Sequence, residues 1–162
     1  MVYSGIPTLA VEPDVTTAAT GTVPVSLLDL SATFLPIGQM LQISRVTDLA
    51  GARIEGHVDL GPDHWVFPQH FPTDPIFPGS LMIEAAGQLV ALWAWAAGQR
   101  GRPRLVRTQA AFHHPTGPGT THLILRGEVR QKRNLSFATV EIWDELTHVA
   151  SVEAVLAVLP PS

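Results

Sequence analysis

The stretch LMIEAAGQLVALWAWAA, from Leu81 to Ala97, decides the fold because it predicts a helix that is apolar on nearly every face. The stretch falls short of the roughly 20 apolar residues that a membrane-spanning helix needs. Glu84 and Gln88 lie four positions apart in it, which places both side chains on one side of the helix. We therefore interpret it as one long buried helix of a soluble domain, with no membrane partner.

The chain around this helix is rich in strand patterns. Residues 53–60 alternate apolar and polar side chains, as a half-buried strand does, and residues 39–47 are a plausible partner strand, with a turn at Ala50-Gly51. The short polar connections Arg133-Asn134 and Asp144-Glu145 predict antiparallel hairpins. Four β-rich stretches follow the helix, at about 104–112, 120–132, 136–143 and 147–158.

The absence of a second long helix in the sequence restricts the architecture. About six strands must curl around the single apolar helix, since no other element can cover it. The predicted fold class is therefore α+β, with a mostly antiparallel sheet wrapped around one central helix.

Composition narrows the possible functions. The 162 residues fit a single domain, and we expect a flexible N-terminal arm at 1–26 followed by the domain at 27–162. The chain has no cysteine, which excludes disulfides and thiolate chemistry and favours the cytoplasm. The start of the chain lacks the pattern of a secretory signal. A formal net charge of −4 argues against a dedicated nucleic-acid partner.

The basic residues are unevenly distributed. Eight of the ten lie between positions 100 and 133, where Glu128 is the one acidic residue. Such a block is typical of a solvated face, and it also fits a docking surface for an acidic macromolecule. The eight are Arg100, Arg102, Arg104, Arg107, Arg126, Arg130, Lys132 and Arg133.

A proline-rich loop before the helix carries the residues of catalytic type. Pro72, Pro75 and Pro78 recur at every third position and stiffen the loop, and Gly79 then opens the helix. The first main-chain N–H groups of a helix lack partners and can hold a developing oxyanion. With His70 before this point and Glu84 after it, the sequence predicts an acid–base site with an anion hole.

The segment HFPTDPIFPGSL at 70–81, followed by Glu84-Ala85 and Gln88, resembles the signature of the 3-hydroxyacyl-[acyl carrier protein] dehydratases of the FabZ and FabA type. A weaker resemblance covers about residues 34–158, where FHHPTGPG at 112–119 is similar to a second turn of that family. The resemblance implies a hot-dog fold. It also implies a homodimer in which each site takes its histidine from one subunit and its acid from the other. A heterodimer with another hot-dog chain is the alternative that the departures from the family pattern keep open.

The resemblance also implies roles for the site residues. His70 would remove the α-proton of a 3-hydroxyacyl thioester, Glu84 would protonate the departing hydroxyl, and the N–H of Gly79 would bind the thioester carbonyl. A glutamate at the acid position favours dehydration without isomerisation. Phe71, Pro78 and Gln88 are expected to contact the substrate, and Gln88 could instead hold Glu84 across one helical turn. The implied partner is an acidic acyl carrier protein, and no cofactor or metal is implied.

Several positions depart from the family pattern and keep other interpretations open. Gln69, Phe77 and Ser80 replace the usual Gly, Met and Val, and Ser44 stands where an aspartate is usual. A specialised acyl chain, as in polyketide assembly, is as plausible as fatty-acid synthesis. The rival functions are a hot-dog thioesterase and a non-catalytic or half-catalytic subunit. Trp93 and Trp95 are expected in the core, or at the floor of an acyl tunnel.

Overall fold

The computed structural model describes residues 23–24 and 34–162. Those residues form one α-helix, one short 3-10 helix at Gly38–Met40 and seven strands. The elements in chain order are β1 (Val23–Pro24), β2 (Arg45–Ala50), β3 (Arg53–Asp59), α1 (Gly79–Ala96), β4 (Arg102–Phe112), β5 (His122–Lys132), β6 (Leu135–Asp144) and β7 (Thr147–Leu159).

All seven strands belong to one antiparallel sheet with the order β1-β2-β3-β5-β6-β7-β4. The two hairpins β5-β6 and β6-β7 turn through residues with left-handed backbone angles, Arg133 at φ 59° and Glu145 at φ 50°, as tight hairpins require. Strand β4 follows the helix and returns to pair with β7, so it forms one end of the sheet.

Helix α1 lies inside the curl of the sheet and contacts strands β3 to β7. Its residues Leu89, Val90 and Leu92 are fully buried. The facing strands supply their inward positions, such as Leu125 and Val140, which are also fully buried. Because one sheet surrounds the helix, burial on nearly all helical faces needs no second helical layer, as the sequence pattern predicted.

Gly56 on β3 allows the sheet to come close to the helix. A Cβ atom at this position would lie 2.7 Å from Cδ1 of Leu89 and 3.2 Å from the carbonyl oxygen of Arg45. Both distances are shorter than ordinary contacts between such atoms. The missing side chain therefore makes room for Leu89 at the centre of the core.

Most predicted elements are confirmed within two residues of their observed ends, including the helix and the strand at 53–60. The strand predicted at 39–47 is wrong in extent, because β2 begins only at Arg45. Gly38 has a left-handed φ of 64° and the chain forms a 3-10 turn there. The N–H groups of Gln42 and Ile43 then bond to a side chain of α1 and not to a neighbouring strand.

Two further expectations concern the termini and the membrane. The predicted arm at 1–26 lies outside the described residues except for Val23–Pro24, which pair with β2. Among the residues that are described, no helix is long and apolar enough to cross a membrane.

We expect Gly56→Val to lower the free energy of unfolding by about 1–3 kcal/mol, because the added methyl groups overlap Leu89 and the Arg45 carbonyl. Denaturant unfolding measures this change. Gly87→Ala in the helix is the matched control, since nothing lies within 4 Å of its added Cβ, and it should raise stability by about 0.5–1 kcal/mol. Equal stability of the Gly56→Val variant and the parent would contradict the close approach.

Candidate active site

The loop that carries His70 is held by its own backbone hydrogen bonds. The N–H of His70 donates to the carbonyl of Val66 at 2.9 Å, and its carbonyl accepts from the N–H of Ile76 at 2.8 Å. Phe71 and Asp74 bond to each other in both directions at 3.0 Å. The peptide bond between His70 and Phe71 is cis. The loop therefore presents the histidine from a closed backbone turn.

The imidazole of His70 has a defined hydrogen-bonding role. Its Nδ1 lies 3.1 Å from the carbonyl oxygen of Ile76. Because a carbonyl oxygen only accepts, Nδ1 must carry the proton in this contact, and the lone pair of a neutral ring is then on Nε2. Nε2 has no hydrogen-bond partner among the described residues. The ring is half-buried and stacks on Phe71 with centroids 4.1 Å apart.

The start of α1 has unpaired main-chain donors. Pro78 is the N-cap residue, and no side chain caps the helix. The N–H groups of Leu81 and Met82 donate back to the carbonyl of Pro78 at 3.1 and 3.2 Å. The N–H groups of Gly79 and Ser80 come before them and lack acceptors within the helix. The helix dipole adds positive potential at the same point.

Gly79 is also the point where the end of β4 meets the helix. A Cβ atom on Gly79 would lie 2.7 and 2.9 Å from two ring atoms of Phe112. Phe112 is nevertheless 51% exposed, so its ring covers the backbone of Gly79 from one side and faces solvent with the other. A side chain at position 79 would have to displace the far end of this ring.

The second turn predicted from the resemblance braces the loop. The N–H of Phe77 donates to the carbonyl of Thr116 at 2.7 Å. Phe77 is buried and packs edge-on against His64 with centroids 5.9 Å apart. Burial lowers the pKa of His64, which keeps this ring neutral at pH 7. The part of the loop that leads to Pro78 is therefore held by one backbone hydrogen bond and by the contact between the rings of Phe77 and His64.

Glu84 is held by Gln88, one helical turn later. The side-chain N–H of Gln88 donates to Oε1 of Glu84 at 2.9 Å and to the carbonyl of Met40 at 2.7 Å. Its Oε1 accepts the N–H groups of Gln42 at 2.8 Å and Ile43 at 3.3 Å. Gln88 is only 3% exposed, so its amide is buried and fully bonded. This arrangement fixes the carboxylate of Glu84 relative to the segment before β2.

His70 and Glu84 are placed near the same end of the helix but are not bonded to each other. No hydrogen bond or ion pair joins them within the part of the chain that the structure describes. Phe71, which stacks on His70, is 49% exposed, and Pro78 is buried. Of the six predicted site residues, the structure groups His70, Phe71, Pro78 and Gly79 on the loop and helix start, and Glu84 and Gln88 on the helix.

The block of basic residues is divided among three places. Arg100, Lys132 and Arg133 lie at the C-terminal end of α1, where the side chain of Gln99 donates to the carbonyl of Arg133 at 2.7 Å. Arg126 and Arg130 lie on the outward face of β5, over the rings of Trp143 and Phe137 at 5.9 and 5.3 Å. Arg102, Arg104 and Arg107 belong to β4.

Arg126 is already paired on that outward face. Its Nε lies 3.0 Å from Oε2 of Glu55, whose other oxygen accepts from the hydroxyl of Thr47 at 2.8 Å. Although burial raises the pKa of Glu55, these hydrogen bonds lower it more, so the net shift is downward. Arg126 is therefore bound to its own chain, as is Arg100, whose guanidinium donates to the carbonyl of Trp95 at 2.5 Å and lies 4.5 Å from the centroid of that residue's ring.

Trp93 and Trp95 lie in the core, as expected, with 4% and 7% exposure. The indole N–H of Trp93 donates to the carbonyl of Gly51 at 2.9 Å.

Within the described ranges, no three histidine, aspartate or glutamate side chains are arranged to hold a metal ion.

A family model described as the FabA-like domain matches residues 35–153. The chain belongs to the FabA-like family. The match includes the loop, the helix and both halves of the site described above. It confirms the family that the HFPTDPIFPGSL segment resembles, and with it the hot-dog fold of a curled antiparallel sheet around one helix.

Solved structures agree with this fold. The dehydratase heterocomplex ApeI:P from Xenorhabdus doucetiae superposes with a TM-score of 0.67 at 15% identity, covering 82% of this chain and 91% of that one. The PaaI protein of E. coli, from the phenylacetic acid degradation operon, gives 0.57 at 13% identity, with 72% and 80% covered. A thioesterase superfamily protein from Shewanella loihica gives 0.51 at 21% identity, with 68% and 86% covered. At such identities these neighbours establish the hot-dog fold of the FabA-like chain and leave its reaction open.

Sequence reasoning missed part of the site. It did not predict that the backbone groups of Met40, Gln42 and Ile43 bond to the side chain of Gln88, because every residue has such groups and the sequence does not distinguish them. The contact between Phe112 and Gly79 was also missed. A signal for it existed, since both residues belong to the two family-like segments, at 70–81 and 112–119.

We expect Gln88→Leu to lower the free energy of unfolding by about 1–3 kcal/mol, because the buried N–H of Gln42 and carbonyl of Met40 lose their partner. Chemical denaturation measures the loss. Gln131→Leu is the control, since that side chain makes a single bond to the carbonyl of Arg133, and its effect should stay within about 0.5 kcal/mol. A Gln88→Leu variant as stable as the control would show that these bonds contribute nothing.

Proposed function

We propose that this FabA-like chain dehydrates a 3-hydroxyacyl thioester to the trans-2-enoyl thioester, in fatty-acid or polyketide biosynthesis. Nε2 of His70 takes the α-proton, and the electrons of that C–H bond form the new double bond. The C–O bond at the β-carbon breaks, and Glu84 gives its proton to the departing hydroxyl, which leaves as water. The reverse reaction, hydration of the enoyl thioester, uses the same groups in the opposite protonation states.

The observation that carries the proposal is the state of His70. Its Nδ1–H is bonded to Ile76, so the basic Nε2 remains available at a loop that leads directly into an uncapped helix start. The thioester carbonyl gains negative charge as the α-proton leaves. The N–H of Gly79 and the dipole of α1 stabilise that charge. The reaction thus uses only main-chain and side-chain groups of the protein and requires no cofactor.

The bonding of Glu84 supports the acid role. Gln88 donates to Oε1 at 2.9 Å, which leaves the other carboxyl oxygen to carry and deliver a proton. Hydrolysis by a thioesterase is the rival function, because one structural neighbour above is a thioesterase superfamily protein and another is the PaaI protein of a phenylacetic acid degradation operon. In that reaction Glu84 would activate water against the thioester carbonyl, and His70 would have no substrate proton to remove.

Hydration of a short trans-2-enoyl thioester by the purified chain tests the proposal. We expect activity in the parent and a loss of about 10²–10⁴-fold in both His70→Ala and Glu84→Gln, which each remove one proton-transfer group. The reaction is followed by the loss of enoyl thioester absorbance. His122→Ala and Glu128→Gln change the same residue types on the outward face of β5, away from the loop and the helix start, and should keep parental rates.

A thiol reagent added to the same assay separates the two chemistries. Release of free thiol from a saturated acyl thioester, lost in Glu84→Gln and retained in His70→Ala, would establish the thioesterase and reject the dehydratase. Folded but inactive parent protein would favour the third alternative, a subunit that needs another hot-dog chain for activity. Mixing His70→Ala with Glu84→Gln tests whether sites are shared, because a shared site is rebuilt in mixed dimers.

We propose that a second hot-dog subunit completes the site by pairing with β4. This strand ends the sheet and bonds only to β7, so one row of its backbone N–H and C=O groups has no partner strand in the described chain. Leu105, Val106 and Phe112 on it are 41%, 61% and 51% exposed. A subunit added here would bury these side chains and bring its own histidine loop or acid to the site. The lack of a bond between His70 and Glu84 in one chain is consistent with sharing.

The substrate donor in this proposal is an acyl carrier protein. Its acidic surface would dock on the basic residues at the C-terminal end of α1, and its flexible arm would deliver the acyl chain. Lys132 and Arg133 are exposed there and form no ion pair within the residues described. Arg126 and Arg130 are less suitable, since their guanidinium groups lie over aromatic rings of their own sheet.

We expect the double variant Lys132→Glu and Arg133→Asp to raise KM for carrier-bound substrate by roughly tenfold, because the docking surface changes sign. KM for the small thioester should not change. Aspartate is chosen at 133 because it tolerates the left-handed backbone there. Arg53→Glu, on β3, is the control and should alter neither value; an equal rise for both substrates would reject carrier docking at this end.

A further inference from the structure

The charge on β4 restricts the kind of subunit that can pair with it. The strand runs RPRLVRTQAAF and carries three arginines, Arg102, Arg104 and Arg107, and no acidic residue. Two copies paired side by side would place six guanidinium groups along one ribbon. Like charges on neighbouring antiparallel strands are destabilising.

The chain itself does little to neutralise these arginines. No ion pair involves any of them among the residues described. Arg102 and Arg104 bond only to the backbone carbonyls of Pro160 and Pro103, at 3.2 and 2.8 Å. Glu153 on β7 faces the same side but pairs with Gln109 in register, two residues away from Val155, the partner of Arg107.

The same strand has the features of a surface that another strand covers. It is 11 residues long and ends the sheet. Eight of its residues are exposed, and these include Leu105, Val106 and Phe112. An edge of this length with exposed apolar side chains is normally blunted or paired. Backbone and apolar groups would therefore provide affinity, and the arginines would select the partner.

We propose that β4 selects a hot-dog subunit whose own edge strand carries acidic residues, so that this chain pairs more tightly with such a subunit than with a second copy of itself. The inference rests on the pairing through β4 proposed above and specifies the partner. Carboxylates facing Arg104 and Arg107 form cross-strand ion pairs, whereas a second copy of this chain opposes them with further arginines. Pairing of two identical chains should be weak at low ionic strength and should tighten when salt screens the repulsion.

An acidic-edged partner can be made from the chain itself by the triple substitution Arg102→Glu, Arg104→Glu and Arg107→Glu. We mix this variant with the parent and count dimer species by native mass spectrometry. Mixed dimers should exceed their statistical share at low salt, and the excess should disappear near 0.5 M NaCl, where the Debye length falls to about 4 Å. A mixed-dimer fraction at or below the statistical share would overturn the proposal.

The control variant carries the same change in net charge away from β4. This triple variant, with Arg53→Glu, Lys132→Glu and Arg133→Asp, should give no excess of mixed dimers. An equal excess would show that overall charge alone drives the pairing and would reject edge selection. Circular dichroism checks folding, and the single Arg107→Glu variant must shift the distribution in the same direction. A tight parental homodimer that salt weakens would also overturn the inference.

Hydration activity measured in the same mixtures separates this inference from the proposed function. Preferential mixed dimers without hydration would reject the dehydratase and retain edge selection. A tight parental homodimer that hydrates the enoyl thioester would retain the dehydratase and reject edge selection.

Discussion

The structure depends on covering a helix that is apolar on nearly all sides. Leu89, Val90 and Leu92 point in different directions from α1, and all are fully buried. A second helix could cover only one stripe of such a surface, whereas a curled sheet covers most of its circumference. The curl requires close approach at the centre, and Gly56 permits it by leaving room for Leu89. The curl of the sheet and the burial of the helix therefore depend on each other.

The sheet does not cover the two ends of α1, and both ends carry polar or charged groups. The first turn keeps main-chain donors free because proline precedes it and no side chain caps it. At the last turn the guanidinium of Arg100 donates to the carbonyl of Trp95 at 2.5 Å, and a positive group there suits the negative end of the helix dipole. A single buried element thus presents free main-chain donors at one end and a basic group at the other without interrupting the core.

The principal elements follow from local patterns in the sequence, whereas the site residues stay predictions. The run of apolar residues after Gly79 defines the helix, and the alternation in 53–60 defines a strand, because burial on one or all faces leaves a periodic signal. The spacing of His70, Gly79 and Glu84 around the helix start predicts only that these groups can reach one site, and their roles come from the resemblance to the family. The strand predicted at 39–47 is wrong in extent because the N–H groups of Gln42 and Ile43 bond to the side chain of Gln88. This contact is distant in sequence and leaves no local pattern. Strand order, and hence the exposed position of β4, also arises from contacts distant in sequence.

Phe112 links two regions of the molecule that the sequence separates by many residues. It ends the exposed strand β4, and its ring rests on the backbone of Gly79 at the start of the helix. A shift of β4 on the proposed pairing with a second subunit would move this ring relative to the glycine N–H. The proposed subunit boundary and the proposed anion site are therefore linked through one aromatic side chain.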